Sequence, residues 1–493
     1  MMSRHAIRLG IVILAFILLP GCAHYIVNDR SQNFDAESGY RFDALDRSEL
    51  NSDSLFVCLM FSGGGTRAAA LSYGIMESLS DTVIRVDGQD KRLLDEVDCI
   101  SSVSGGSFTA AYYGLFRERL FEDFEGRFLE RDVQGALAGR LFNPVNWARL
   151  VSPYFSRIDM AAELYDRDIF DSATFEQLQR NGRPFVILNA TNLGVDRRFD
   201  FTQEYFDALG SRLDSYPVSS AVAASSAFPF LLTPISLKNY PLAEGYNAPW
   251  WYKGAIRPAS WTTERYNAAK NLSVYLDKEN RYIHLMDGGL SDNIGARSVL
   301  NAFDRGFIRT RINEGAIRQL VLIVVNARTQ SEDQLSRSEK PPGFFTVAAK
   351  AGTVAMDNYS YDSVTKLREA LYTRVQTQMN DQACAALLAQ QCPQAPKPIA
   401  FAADIDPYVI EINFEQASQI PGEKPRYYLD MPTSFTLSKE QVKKLVAIGP
   451  KLLKAAPQYQ CMIKVLAAEA ESKPRPEECP VGAGISTDDR GEP

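Results

Sequence analysis

Residues 55–67 read Leu55-Phe56-Val57-Cys58-Leu59-Met60-Phe61-Ser62-Gly63-Gly64-Gly65-Thr66-Arg67. The first seven form a continuous apolar run, the pattern of a strand buried on both faces of a parallel sheet. A glycine turn follows, and Thr66–Leu79 predicts a helix with small residues on its first turn. Strand, tight turn and helix make an α/β opening unit. Three consecutive glycines also leave their backbone N–H groups uncovered by any Cβ. The helix adds its positive N-terminal end. Such a cradle suits an anion, either a phosphate or an oxygen that becomes negative during a reaction.

The same rhythm continues outward. Asp98–Val103 predicts a second buried strand, followed by a helix over Gly105–Phe116. Phe185–Asn189, Tyr282–Met286 and Leu320–Val325 predict three more strands. Strands alternating with helices predict an α/β fold with a mostly parallel sheet sandwiched by helices. Two stretches interrupt it. Residues 120–180 read as helical and rich in aromatics, and residues 238–280 hold Trp250, Trp251 and Trp261 among turn residues. Both suit a lid or rim, or equally packing cover for the sheet. Residues 54–329 are thus expected to be the main domain, with 330–493 an α+β extension packed on its core. In that extension, Tyr408–Phe414 predicts a strand and residues 360–380 a helix. Ser438 and Gln441 fit a capping box opening a last helix, with Val442, Leu445, Val446, Leu452 and Leu453 on one face.

The chain has 493 residues, 45% of them apolar, with a formal charge of −7. That composition suits a large buried core and excludes a disordered or collagen-like chain. An acidic chain without a Lys/Arg run offers no footprint for nucleic acid. At the N-terminus, Arg4 and Arg8 precede an apolar run, Leu9–Leu19, that ends Pro20-Gly21-Cys22. The run is shorter than the ~20 residues that span a bilayer, but it suits a signal-peptide core. Gly21-Cys22 resembles the lipobox of bacterial lipoproteins, which implies removal of residues 1–21 and lipidation of Cys22. Ala23 follows, with no Asp to suggest inner-membrane retention, which favours the outer membrane on its periplasmic side. Residues 22–53, polar and aperiodic, are expected to be a tether. In an oxidising periplasm, Cys384 would pair with Cys392 and Cys461 with Cys479. Cys58 and Cys99, inside apolar runs, read as small buried hydrophobes.

Three motifs sit at strand ends, where open α/β sheets gather their ligands. The first is the glycine loop. Gly63-x-Gly65-x-x-Ala68, with Asp87 further on, formally fits a dinucleotide fingerprint, but such a cofactor sits poorly with an exported chain. A Walker loop is excluded, because no Gly-Lys-Ser/Thr follows. The second is Ser102-Val103-Ser104-Gly105-Gly106, a strand–elbow–helix setting with Ser104 at its centre. Read blandly, it is a serine-glycine turn or a helix cap. The third is Asp287-Gly288-Gly289, which on its own is often just a turn. A catalytic serine needs a base. Only His5, His24 and His284 exist. His5 leaves with the signal, His24 lies two residues from the anchor, and His284 sits three positions before Asp287. Odd spacing on a strand turns His284 to the opposite face, so it reads as a core residue. Asp287 remains, although a carboxylate ordinarily titrates at ~3.9 and needs desolvation to serve near neutrality.

These residues together resemble the patatin-like phospholipase family. Gly63-Gly64-Gly65-Thr66-Arg67 matches its glycine-rich motif. Ser102–Gly106 matches its elbow, with Ser102 in place of the usual glycine. Asp287-Gly288-Gly289 and Ala224-Ser225-Ser226-Ala227-Phe228-Pro229 match two further blocks, all in order between Leu55 and Val325. The resemblance implies a three-layer α/β/α fold and acyl-ester hydrolysis without metal or cofactor. Ser104 would be the nucleophile, Asp287 the base, and Gly63, Gly64 and Gly65 the oxyanion hole. Arg67 would support the loop or face a lipid head group. Membrane lipids would be both substrate and anchor. A non-catalytic lipid-binding lipoprotein and a small-substrate esterase or thioesterase remain open on the sequence, as does any protein partner.

Overall fold

A computed structural model describes residues 23–229, 231–257, 263–329, 339–392, 394 and 405–467. The signal segment, Cys22, Trp261 and Cys479 lie outside these residues. The described strands are β1 (Leu55–Phe61), β2 (Val83–Val86), β3 (Gln89–Arg92), β4 (Val97–Val103) and β5 (Phe185–Asn192), then β6 (Arg197–Asp200), β7 (Ile235–Lys238), β8 (Tyr282–Asp287), β9 (Gln319–Asn326) and β10 (Asp406–Asn413). One sheet runs β10-β9-β1-β4-β5-β8-β7, with β6 paired to β5, and β2 and β3 form a separate hairpin. From β10 to β5 every pairing is parallel. β1 and β9 are buried along their whole length, which is why both read as unbroken apolar runs.

The helices that matter below are α1 (Thr66–Ser80), α2 (Gly105–Phe116), α3 (Val133–Leu141), α4 (Pro144–Leu150), α5 (Arg157–Asp168), α6 (Val218–Ser225), α7 (Phe344–Gln391) and α8 (Lys439–Ala455). α1 packs against α2 on one side and α8 on the other. The α1–α8 crossing is close because glycine meets glycine. A Cβ on Gly449 would lie 3.1 Å from the Gly74 carbonyl carbon, and one on Gly74 would strike the Val446 carbonyl. α8 opens with the Ser438–Gln441 capping box that its sequence predicts. Together with edge strand β10, it makes the C-terminal region part of the sheet and its covering layer.

The direction of β8 differs from the expected parallel series. It pairs antiparallel with the end of β5, Ala190 opposite Asp287 and Asn192 opposite Leu285, and β7 is antiparallel to it in turn. Only the last three residues of β5 take part. β8 therefore approaches from beyond the parallel strands and returns its own end, Asp287, to theirs. Apolar periodicity carries no information on strand direction. The same hairpin corrects His284. It is exposed rather than in the core, with Nδ1 2.9 Å from Ser236 Oγ, because an antiparallel edge can leave one face in water.

The expected tether is also corrected from residue 23 onward. Asn28 Nδ2 donates to Ser211 Oγ (2.9 Å) and to the Lys238 carbonyl (3.0 Å), and its Oδ1 accepts from the Lys238 N–H (2.8 Å). Tyr40 and Phe42 are buried in the core, and Arg41 pairs with Asp207. A few anchors in a polar, aperiodic stretch suffice to strap it to the body.

Cysteine usage is the third correction. Cys58 and Cys99, expected as free buried side chains, are joined by a disulfide between neighbouring strands β1 and β4, Cα–Cα 4.6 Å. Cys384 and Cys392, the expected pair, are free and exposed. Cys384 lies within α7 and Cys392 at its end. Eight helical residues separate their Cα atoms by roughly 12 Å along the axis, beyond the ~7 Å limit of a disulfide. Cys461 is disulfide-bonded.

Candidate active site

Ser104 stands between β4 and α2 with φ +49° and ψ −121°. A non-glycine residue held there stores strain of about 1–3 kcal/mol, so the surroundings must enforce it. They do so through backbone contacts and hydroxyls. The Ser104 N–H donates to Ser225 Oγ (2.9 Å), which donates to the Asn189 carbonyl (2.7 Å) and lies 2.9 Å from Ser107 Oγ. Gly106 is required by close approach, since a Cβ would fall 2.7 Å from the Ser62 carbonyl oxygen and from Phe61 Cβ. Ser102, in place of the usual glycine, is accommodated: it is buried and its Oγ donates to the Ile187 carbonyl of β5 (3.3 Å).

Asp287, at the end of β8, meets this elbow. Ser104 Oγ donates to Asp287 Oδ2 at 2.9 Å, and the Gly289 N–H donates to Oδ1 at 2.8 Å. The carboxyl is buried, and burial pushes its pKa up to about 7 against these two hydrogen bonds. The backbone around it is pinned. The Asp287 and Gly288 N–H groups donate to the Ala227 and Ser225 carbonyls (both 3.1 Å), and Thr191 Oγ1 donates to the Asp287 carbonyl (2.8 Å). The block Ala224–Pro229 is therefore the clamp that sets both halves of the site: Ser225 Oγ holds Ser104, and the Ser225 and Ala227 carbonyls hold Asp287.

The glycine loop lies against the same serine. A Cβ at Gly63 would sit 3.3 Å from Ser104 Cβ, and one at Gly105 would overlap Gly65. The Gly63 N–H is already committed to the Asn293 carbonyl (2.9 Å), so it is not an oxyanion donor as expected. The Gly64 and Gly65 N–H groups donate to no acceptor among the described residues. Their φ values, +141° and +61°, explain why glycine stands there. Arg67 has the structural one of its two expected roles. It is buried, with Nε donating to the Ala327 carbonyl (3.0 Å), Nη1 to the Met431 carbonyl (2.7 Å) and Nη2 to Thr433 Oγ1 (3.1 Å). The Thr66 N–H adds a bond to the Ser434 carbonyl (2.9 Å). A guanidinium so enclosed does not face a lipid head group.

Sequence reasoning missed three contributors: Asn189, Asn293 and the 431–434 segment. Ser225 lay in a recognised block without a role. Asn293, Met431 and Ser434 act through backbone carbonyls, which leave no residue-type signal, and Thr433 adds only its Oγ1. Among the described residues, no group of His, Cys, Asp or Glu is placed to hold a metal ion. The arrangement brings together a hydroxyl in a strained elbow, a buried carboxyl whose pKa is pushed up to about 7, and two uncommitted N–H donors beside them.

No curated protein matches the chain. Among solved structures, it is similar to human GIVD cytosolic phospholipase A2, with 14% identity and a TM-score of 0.31, over 55% of this chain and 45% of that one. The chain thus spans less than two thirds of the length of that protein. The same human enzyme in complex with methyl gamma-linolenyl fluorophosphonate gives 13% identity and a TM-score of 0.40, over 86% of this chain and 61% of that one. VipD from Legionella pneumophila gives 12% identity and a TM-score of 0.24, over 82% of this chain and 70% of that one. Residues 59–300 match the family model described as patatin-like phospholipase, and the mostly parallel, helix-flanked sheet that carries Ser104 and Asp287 has the patatin fold.

Proposed function

We propose that the protein hydrolyses acyl esters of membrane lipids, with phospholipase A-type specificity, through a Ser104–Asp287 dyad. The observation that carries this reading is the 2.9 Å hydrogen bond from Ser104 Oγ to a buried carboxylate, next to two free N–H groups of a glycine loop. Ser104 Oγ attacks the ester carbonyl carbon while its proton passes to Asp287 Oδ2. The carbonyl electron pair moves onto oxygen, and the Gly64 and Gly65 N–H groups stabilise the oxyanion, an effect worth several kcal/mol in comparable sites. Collapse breaks the bond to the alcohol, which leaves with the proton from Asp287, and the acyl group stays on Ser104. Water then loses a proton to Asp287 and attacks the acyl carbon. Collapse frees Ser104, which recovers that proton, and the fatty acid departs. A base that titrates near 7 suits this work at neutral pH. The scheme asks for no metal or cofactor.

The place of action in this reading is the bacterial envelope, with Cys22 acylated and the body on the periplasmic side of the outer membrane. The Cys58–Cys99 disulfide supports an oxidising compartment. The test is release of p-nitrophenol from medium-chain esters by the purified protein. Ser104→Ala should abolish release and labelling by a fluorophosphonate. Activity that survives in Ser104→Ala would overturn the mechanism.

A further inference from the structure

Five exposed large apolar side chains cluster on one short stretch. Phe142 is 78% exposed, Val145 70%, Trp147 55%, Val151 70% and Tyr154 57%. They flank and include α4, whose start is fixed by Asn143 Oδ1 accepting the Val145 N–H (3.0 Å) and by Pro144 at its first position. The Trp147 indole N–H is satisfied by the Leu141 carbonyl (2.6 Å). Single exposed apolar residues need no explanation, but five within thirteen positions do.

Two further observations say what covers them. The stretch Val133–Ile158 holds Arg140, Arg149 and Arg157 and no acidic residue, in a chain of net charge −7. Glu163 of α5 faces Arg140 and Arg149 from beneath, and Arg149 also lies over the Phe155 ring at 4.0 Å. The N-terminal chain also arrives at this face. Ser152 Oγ donates to the Ala23 carbonyl (2.7 Å), the Tyr25 N–H donates to the Tyr154 carbonyl (2.7 Å), and His24 stacks on Tyr154 with centroids 5.1 Å apart. Cys22 is one peptide, ~3.8 Å between Cα atoms, from Ala23, and the apolar run Leu9–Leu19 ends three residues before it.

We infer that Phe142–Tyr154 is a docking face that inserts α4 and its flanking aromatics into the interfacial layer of an anionic lipid leaflet, beside the point where the N-terminal chain reaches the membrane. Tryptophan, tyrosine and arginine among exposed apolar side chains are the residues suited to that layer. The face is also joined to the catalytic centre. Thr233 Oγ1 donates to Ser156 Oγ (2.8 Å) and accepts the Ile158 N–H (3.3 Å), while Ala227, six positions earlier, holds the Asp287 N–H. Exposed Leu231 lies on that connection. Docking at α4 thus holds the body that carries Ser104 at the leaflet. This use of the face rests on the lipid-hydrolase reading, whereas the docking itself does not.

The test uses the full chain on vesicles of phosphatidylglycerol and phosphatidylethanolamine carrying a shallow doxyl-labelled lipid. Tryptophan emission should be quenched, and Trp147→Phe should lose at least half of that quenching. The triple variant Phe142→Ser, Val145→Ser, Val151→Ser should hydrolyse vesicle lipid at least tenfold more slowly while keeping its rate on soluble p-nitrophenyl butyrate. Equal quenching in wild type and Trp147→Phe overturns the proposal. So does a wild-type dimer in sedimentation that the triple variant dissociates, since the face would then belong to a second copy. If the wild type cleaves neither substrate, the hydrolase reading fails while the quenching result still decides docking.

Discussion

Ser104 Oγ and Asp287 Oδ2 share a 2.9 Å hydrogen bond although 183 positions separate them in the chain. They meet because β4 ends in the elbow and β8, running the other way past the tip of β5, ends beside it. Among the described residues no histidine hydrogen-bonds to either partner, and the carboxyl is buried. The consequences for activity and stability are separable.

Activity should follow the ionisation of Asp287. Only the carboxylate can take the serine proton, and burial places its pKa near 7. kcat/KM should fall about tenfold per pH unit below that value and level off above it. A pH–rate profile between pH 5 and 9 measures this, and a flat profile from 5 to 8 contradicts Asp287 as base.

Stability should move the opposite way. The folded-state pKa is raised above the ordinary ~3.9, so the folded chain holds its proton more tightly than the unfolded one. That advantage is fully present below pH 4 and is lost as pH rises through about 7. Asp287→Asn removes the buried charge and keeps an acceptor for the Gly289 N–H. It should abolish hydrolysis yet stabilise the fold by on the order of 2–4 kcal/mol at pH 8, with little effect at pH 4. Urea unfolding at the two pH values distinguishes this from a general loss of structure.

Arg67→Met should separate loop positioning from substrate binding. It removes three hydrogen bonds and leaves the Ala327 and Met431 carbonyls buried without that partner, a cost of about 2–3 kcal/mol. The Gly64–Gly65 donors would drift from their line to the reacting carbonyl. kcat should drop 10- to 100-fold with KM nearly unchanged. A rise in KM alone would return Arg67 to a head-group role.

The two cysteine pairs should behave oppositely. Replacing Cys58 and Cys99 by alanine opens a closed loop of sequence separation 41 and should cost about 4 kcal/mol on the chain-entropy account. Replacing Cys384 and Cys392 by serine should leave the melting temperature within about a degree, because both side chains are exposed and unpaired. Thermal unfolding of the two double variants, with thiol titration of the parent chain, checks both statements.

Much of the domain was legible because its local signals are strong. The helix expected at Gly105–Phe116 and the strand expected at Leu55–Phe61 have those bounds, since fully buried strands and glycine-opened helices mark their own ends. That Ser104 and Asp287 meet was foreseeable because a serine elbow has few other partners in a chain with three histidines. What stayed hidden depends on contacts distant in sequence. The reversal of β8, the loss of Gly63 to Asn293 and the strapping of residues 23–53 all turn on partners that no local pattern announces. The Cys58–Cys99 bond was missed for the same reason, because it requires knowing that β1 and β4 are neighbours in register.

The match to the patatin-like family closes at residue 300, yet the sheet does not. β9 and β10 come later in the chain and lie on the far side of β1. A chain cut at that boundary would leave β1 as a bare, wholly apolar edge strand, a ready template for sticking to its own copies. The smallest piece that keeps β1 covered therefore reaches well past the recognisable segment, through β10 and the turn that grips Arg67.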